Sequence, residues 1–257
     1  MSKSNIPTQD VIGAPICTLT FDEHISLIIE WAKAYRSKMV CVSNVHMLIE
    51  AWRDSYFAEV LKNADLVTPD GMPLVWILRT MGAKQSQRVA GIDIFCAVCE
   101  QASIAQVSIF LLGSKPDVLD KICQRLKSDF PLLKVAGLES PPFSPLSPTA
   151  DINIVQKINA SGAGLVFVSL GCPKQELWMS QYKEKVQAVM IGVGAVFPVY
   201  AGVLKQAPKL IQLIGFEWLF RLLQEPKRLW KRYLTTIPIF ICLALKQISF
   251  KKNSVFK

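Results

Sequence analysis

The sequence predicts an α/β fold, a Rossmann-like parallel sheet flanked by helices, with a basic helical appendage at its C-terminal end. Three observations lead there. Between residues 20 and 200, short β-rich apolar runs alternate with amphipathic segments; the runs stop at turn residues; and the excess positive charge is confined to the last fifth of the chain. Such alternation is what buried parallel strands joined by crossover helices write into a sequence. With 257 residues, 51% of them hydrophobic, and a mean hydropathy of +0.31, the chain is too apolar to remain disordered. Its length suits one large domain with an appendage, which we divide into an α/β body, residues 1–204, and a tail, residues 205–257.

The amphipathic periodicity predicts helices near 21–36, 46–62, 72–80, 91–104, 115–128, 149–160 and 174–185. Strands are expected at 39–43, 65–68, 107–112, 133–137, 165–170 and 188–192, each rich in Val, Ile, Leu or Phe. Several end in recognisable loops: Asn44, Pro69-Asp70-Gly71, Gly113-Ser114, Gly171-Cys172-Pro173 and Gly192-Val193-Gly194. In open α/β sheets the loops at the carboxyl ends of strands form the binding crevice, so functional residues are sought there. Residues 140–148 are too rich in proline for helix or central strand and read as a surface connection.

Several classes are excluded. No run of about 18 apolar residues occurs, the longest late one being 237–245, so a spanning helix is not expected. The polar start, MSKSNIPTQD, lacks a signal-peptide apolar region, which makes the expected address cytoplasmic. Seven scattered cysteines do not form a secreted disulfide framework and read as small core hydrophobes. Cys96 and Cys99 lack a second pair or a nearby His to complete a zinc set, and no metal or cofactor is expected.

Charge then separates body from tail. Residues 1–204 carry 18 Lys and Arg against 18 Asp and Glu; residues 205–257 carry 11 against Glu217 and Glu225 alone, which is the whole net charge of +9. In the tail, Trp218, Phe220, Trp230, Tyr233, Phe240 and Phe250 are interleaved with these cations. Rings at headgroup level with cations on anionic lipid describe an interfacial helix, a reading we favour over core packing and over nucleic-acid binding.

The strand-end loops supply the candidate chemistry. Asn44 carries an amide that can serve a ligand or cap the next helix, and His46 is one of two histidines, a potential base whose ordinary role is structural. Asp70 projects from a tight Thr-Pro-Asp-Gly turn, placed for general-base work or for capping. Gly113-Ser114-Lys115 opens a helix as a phosphate-binding turn would, without a full GxGxxG or P-loop pattern. Lys174, Gln175 and Glu176 bring a cation, an amide and a carboxyl to one strand end, and Gly192 and Gly194 flank another.

Taken in order, TPDGMPLVW, QRVAGIDIF, FLLGSKP, VSLGCPKQELWM, IGVGAVFPVYAG and EWLFRLLQEPKRLWKRYL resemble the WecG/TagA/CpsF family of bacterial glycosyltransferases, over about residues 20–234. The resemblance implies inverting transfer from a UDP-sugar to a polyprenyl-diphosphate-linked acceptor at the inner face of the plasma membrane, in cell-surface polysaccharide synthesis. The donor implied is N-acetylmannosamine, its uronic acid or glucose. It makes Asp70 the catalytic base, and Asn44, Arg88, Gln175, Arg221, Arg228 and Arg232 substrate-binding residues; the tail becomes a peripheral membrane element on anionic lipid, and self-association is implied. Val42, Pro198 and Gln206 depart from the family's usual Thr, Asp and Arg. Two alternatives are a non-catalytic membrane adaptor that keeps the fold and a nucleotide-binding oxidoreductase; the latter lacks a GxGxxG after the first strand.

Overall fold

The computed structural model describes residues 6–141 and 148–255. In chain order the elements are β1 (Thr8–Val11), β2 (Ala14–Cys17), α1 (Phe21–Lys33), β3 (Lys38–Ser43), α2 (Val45–Arg53), α3 (Ser55–Asn63), β4 (Leu66–Pro69), α4 (Met72–Thr80) and α5 (Gly91–Ile104). There follow β5 (Ile109–Gly113), α6 (Pro116–Asp129), β6 (Val135–Glu139), α7 (Pro148–Ser161), β7 (Leu165–Ser169), α8 (Lys174–Tyr182) and β8 (Val189–Gly192). The chain closes with α9 (Val196–Tyr200), α10 (Lys209–Leu213), α11 (Glu217–Gln224) and α12 (Pro226–Val255).

A six-stranded sheet runs in the order β4-β3-β8-β7-β5-β6, with parallel registers such as Val40 opposite Ile191 and Phe167 opposite Ile191. Strands that a parallel sheet covers on both faces should be apolar throughout, and β5 (IFLLG) is buried at all five positions. Most of the proline-rich segment, residues 142–147, lies outside the described residues; Pro148 begins α7.

Two expectations from the sequence are corrected. The single helix expected over 46–62 is two, because Asp54 accepts from the backbone N–H groups of Tyr56 (2.9 Å) and Phe57 (3.4 Å) and so starts α3 afresh. The β1–β2 hairpin lies in a segment with no strand in our reading. Its turn uses Ile12 and Gly13, both at positive φ (53° and 82°), which suits the twist of a two-residue hairpin. Isoleucine is rarely found in that conformation, so the usual turn signature is missing. The cysteine reading holds for Cys17, Cys41 and Cys99, which are buried, whereas Cys242 is exposed.

The chain forms two compact units: residues 22–41 with 91–205, and residues 1–21 with 42–90 and 206–257. The first holds a ring cluster in which Phe95 meets Phe167 (4.7 Å between centroids), Tyr200 (4.9 Å) and Phe197 (6.1 Å). In the second, the basic tail is part of the fold. Helix α12 packs on α2, Arg53 Nη2 donates to the Thr235 carbonyl (3.0 Å), and Gln247 Oε1 accepts from the Ile12 N–H (3.0 Å). Among the described residues no helix is long and apolar enough to cross a membrane.

Candidate active site

The unit that contains the tail has a cavity of about 120 Å³ at the carboxyl ends of β3 and β4. That is several times the roughly 10–15 Å³ one water needs by the same measure. Asn44 and His46 line it from the end of β3 and the start of α2, and Asp70 and Gly71 from the turn after β4. Glu217, Trp218, Arg221, Arg232 and Tyr233 line it from α11 and α12.

The turn that bears Asp70 is fixed by its own backbone. Asp70 N–H donates to the Ser43 carbonyl (2.7 Å), tying the end of β4 to the end of β3. The neighbouring Pro69 carbonyl accepts from Val89 N–H (2.9 Å), and Thr68 Oγ1 donates to the Val89 carbonyl (3.4 Å). Gly71 follows at φ 105°, where a side chain would be strained, so the chain can reverse into α4 immediately after the carboxylate. Pro73 then sits in the first turn of α4, where a missing N–H costs nothing.

Asn44 performs the capping role: its Oδ1 accepts from Met47 N–H at 3.2 Å. With the oxygen engaged, the amide offers a ligand its Nδ2 donor. His46 Nδ1 stands 3.7 Å from Glu50 Oε1, one helical turn on.

Arg88 and Glu217 form an ion pair, Nη2 to Oε2 at 2.8 Å, with the guanidinium largely buried and the carboxylate about one-third exposed. Arg221, four residues beyond Glu217, falls on the same face of α11 and enters the same cavity. Trp218 packs edge-on against Tyr233 at 5.6 Å. Burial pushes the Tyr233 phenol up, while Arg221, Arg232 and Arg228 pull it down, and the side chain remains a protonated donor at neutral pH. Arg228 is not in this lining. It is exposed and forks onto Glu225 through Nε (2.8 Å) and Nη2, which holds the Glu225 carboxyl below its usual range.

Gln175 belongs to the other unit. It is 3% exposed, and its Oε1 accepts from the backbone N–H groups of Gly171 (3.2 Å) and Gly194 (3.0 Å), which joins the ends of β7 and β8. Its Nε2 donates to Glu176 Oε1 at 2.6 Å. The oxygen is fully used, so the amide can only donate to a ligand. Glu176 is fully buried, and desolvation raises its carboxyl to about 7, against hydrogen bonds from Gln175 and from Cys172 that lower it. No room exists for a Cβ at Gly192, which would come within 2.8 Å of Met179 Cε and 3.0 Å of Gln175 Nε2.

Of the candidate site residues singled out in the sequence, the cavity therefore gathers Asp70, Asn44, His46, Arg221 and Arg232, with Arg88 joined to its wall through Glu217. Glu217 was not anticipated, and Trp218 and Tyr233, read from the sequence as rings at the membrane interface, line the cavity instead. The available signal was the four-residue spacing of Glu217 and Arg221 in EWLFRL, which puts both on one helical face. Among the described residues, no three His, Cys, Asp or Glu side chains converge as a metal set.

Comparison with known proteins adds to the geometry. The family model described as "Glycosyl transferase WecG/TagA/CpsF family" matches residues 9–254. A Bacillus spizizenii (strain W23) protein, named N-acetylglucosaminyldiphosphoundecaprenol N-acetyl-beta-D-mannosaminyltransferase, is 32% identical over 212 residues, covering 82% of this chain and 80% of its own. A protein of the same name from Bacillus subtilis (strain 168) is 32% identical over 217 residues, covering 84% and 82%.

Proposed function

Starting from the fact that the chain belongs to the WecG/TagA/CpsF family of glycosyl transferases, we propose that it transfers N-acetylmannosamine from a UDP-sugar to a polyprenyl-diphosphate-linked sugar, with inversion at the anomeric carbon. The observation that carries this reading is a cavity lined both by Asp70, held in a fixed turn, and by the cations Arg221 and Arg232. Glycosyl transfer needs just these two chemistries, a base for the acceptor and positive charge for the leaving group.

In the step proposed, Asp70 takes the proton of the acceptor hydroxyl as that oxygen bonds to the anomeric carbon. The bond from that carbon to the nucleotide's diphosphate oxygen breaks on the opposite face, and its electron pair leaves with the diphosphate. Arg221 and Arg232 meet the charge that develops there, and Arg88 is a third cation, joined to the cavity wall through Glu217. Carboxylate and cations also suit the transition state, since the sugar carbon passes through oxocarbenium character while negative charge grows on the leaving group. Asn44 contributes its Nδ2 donor to this cavity; to Gln175, in the other unit, we assign a substrate-binding role through the Nε2 hydrogen that Glu176 does not hold. Arg228 we assign to holding the α11–α12 junction through Glu225. The transferred sugar and the class of acceptor are those in the names of the two Bacillus relatives, and the nucleotide carrier is our own reading.

A polyprenyl acceptor is confined to a bilayer, which the tail is suited to approach. Trp230, Leu234, Ile241 and Leu245 are exposed on α12, and at about 100° per residue they fall within one stripe about 60° wide. Lys227 and Lys231 are exposed beside it. An apolar stripe edged by lysines is the form of a helix that lies in the interface of an anionic membrane.

The test is UDP release from UDP-N-acetylmannosamine, its uronate, UDP-glucose and UDP-N-acetylglucosamine, with a polyprenyl-diphosphate-linked N-acetylglucosamine as acceptor. We expect release with the first donor, lost in Asp70→Ala. Release with another donor would reassign the sugar; silence with all four, beside an active relative, would favour a non-catalytic adaptor.

A further inference from the structure

Glu217 is out of place in a cavity read as taking a diphosphate. A carboxylate in the wall of an anion site opposes the ligand, and this one is bound to a cation, Arg88, that the ligand should want. The two ends of the pair are held differently. Arg88 precedes Val89, whose N–H and carbonyl are both hydrogen-bonded to the end of β4, beside Asp70. Glu217 stands on α11, a helix with no buried side chain.

Glu217 also has somewhere to go. It occupies the first turn of α11, where a negative charge is stabilised by the unpaired N–H groups of the helix start. A carboxylate released from Arg88 keeps that interaction, so the ion pair is the exchangeable contact and the helix start the retained one. Oxygen at 2.8 Å from a guanidinium nitrogen is the geometry a phosphate oxygen would adopt on the same donor.

We infer that Glu217 is an internal substitute for a ligand diphosphate, holding Arg88 until a diphosphate enters and takes its place. This rests on the reading of the cavity as a diphosphate site. A nucleoside diphosphate and a prenyl diphosphate share the chemistry, and the exchange can be made by either.

The experiment is calorimetric titration of the full chain with UDP and, separately, with farnesyl diphosphate, at low and at high salt. Wild type, Glu217→Gln, Arg88→Ala, Arg88→Lys and the Glu217→Gln/Arg88→Ala double variant are compared, with thermal melts as the folding control. Glu217→Gln should lower the Kd for at least one diphosphate about tenfold, and the ligand that responds identifies which diphosphate makes the exchange. Arg88→Ala should raise that Kd about tenfold, Arg88→Lys should raise it less, and in the Arg88→Ala background the gain from Glu217→Gln should vanish. Three results overturn the inference while leaving the diphosphate site standing. They are Glu217→Gln binding no tighter than wild type, an equal gain with and without Arg88, and Arg88→Ala binding as wild type does. Binding of neither diphosphate by the wild-type chain would overturn the site reading itself.

Discussion

Asp70 is held by backbone bonds on both sides of its turn, so its role can be tested without moving it. Asp70→Asn keeps the shape and removes the base. Turnover should fall by about 10²–10⁴-fold, while the Kd for UDP stays within about twofold, because a base acts in the transition state and not on the bound donor. Equal losses in rate and affinity would make Asp70 a positioning residue. Glu176 makes a different prediction, about stability. Its carboxyl is raised from 4.5 to about 7 by burial, so between those values the folded protein holds a proton that the unfolded chain has released. Stability therefore falls as pH rises through this window and levels off above it. Glu176→Gln lacks that titration. Melts of the two proteins across pH 4.5–8 should show the variant gaining on wild type by up to about 3 kcal/mol; a constant difference would mean that the side chain is solvated in solution.

Among the elements, the regular strands and the helices after them were legible because a buried parallel strand and an amphipathic helix each carry a period that does not depend on partners. Asp70 was legible for a similar reason, since Pro69, Gly71 and Pro73 dictate a turn there whatever surrounds it. What escaped was set by single local choices. Asp54 as a cap divided one expected helix into two, and Ile12 at positive φ hid a hairpin. That Glu217, Trp218 and Tyr233 form the cavity's far wall escaped, the two rings having been read as interfacial, because the contact of α12 with α2 is long-range. Gly215 shows how closely that wall is fitted. It joins α10 to α11 at φ 76°, and a Cβ there would lie 2.6 Å from Trp76 Cη2 on α4. Gly215→Ala should therefore destabilise by about 2 kcal/mol through backbone strain and overpacking, and lower the Tm by about 5 °C. By displacing α11 it should also weaken UDP binding, and an unchanged melt would show that Trp76 swings clear.

At the scale of the whole molecule, charge and fold divide the chain in different places. The charge boundary falls near residue 204, with the whole excess of nine beyond it. The packing boundary, by contrast, puts residues 206–257 in one unit with 42–90. The tail thus has two sides in one stretch of chain: its inner side, with Leu229 at 1% exposure and Phe240 at 6%, is core, and its outer side carries the exposed Trp230, Leu234, Ile241 and Leu245. Truncation would confound the two by uncovering α2 and removing Arg221 and Arg232 from the cavity. Substitution on the outer side separates them. Trp230→Glu with Leu234→Glu leaves the inner side intact, removes apolar area and adds two negative charges, each worth about 1 kcal/mol against an anionic surface. In sedimentation with phosphatidylglycerol vesicles, binding should fall at least tenfold, the melt should be unchanged, and wild-type binding should weaken from 0.1 to 0.5 M salt. Turnover on a water-soluble short-chain acceptor should survive the same substitutions. If it falls together with vesicle binding, the stripe is part of the acceptor site; if vesicle binding is unmoved, the apolar face is covered by something other than lipid.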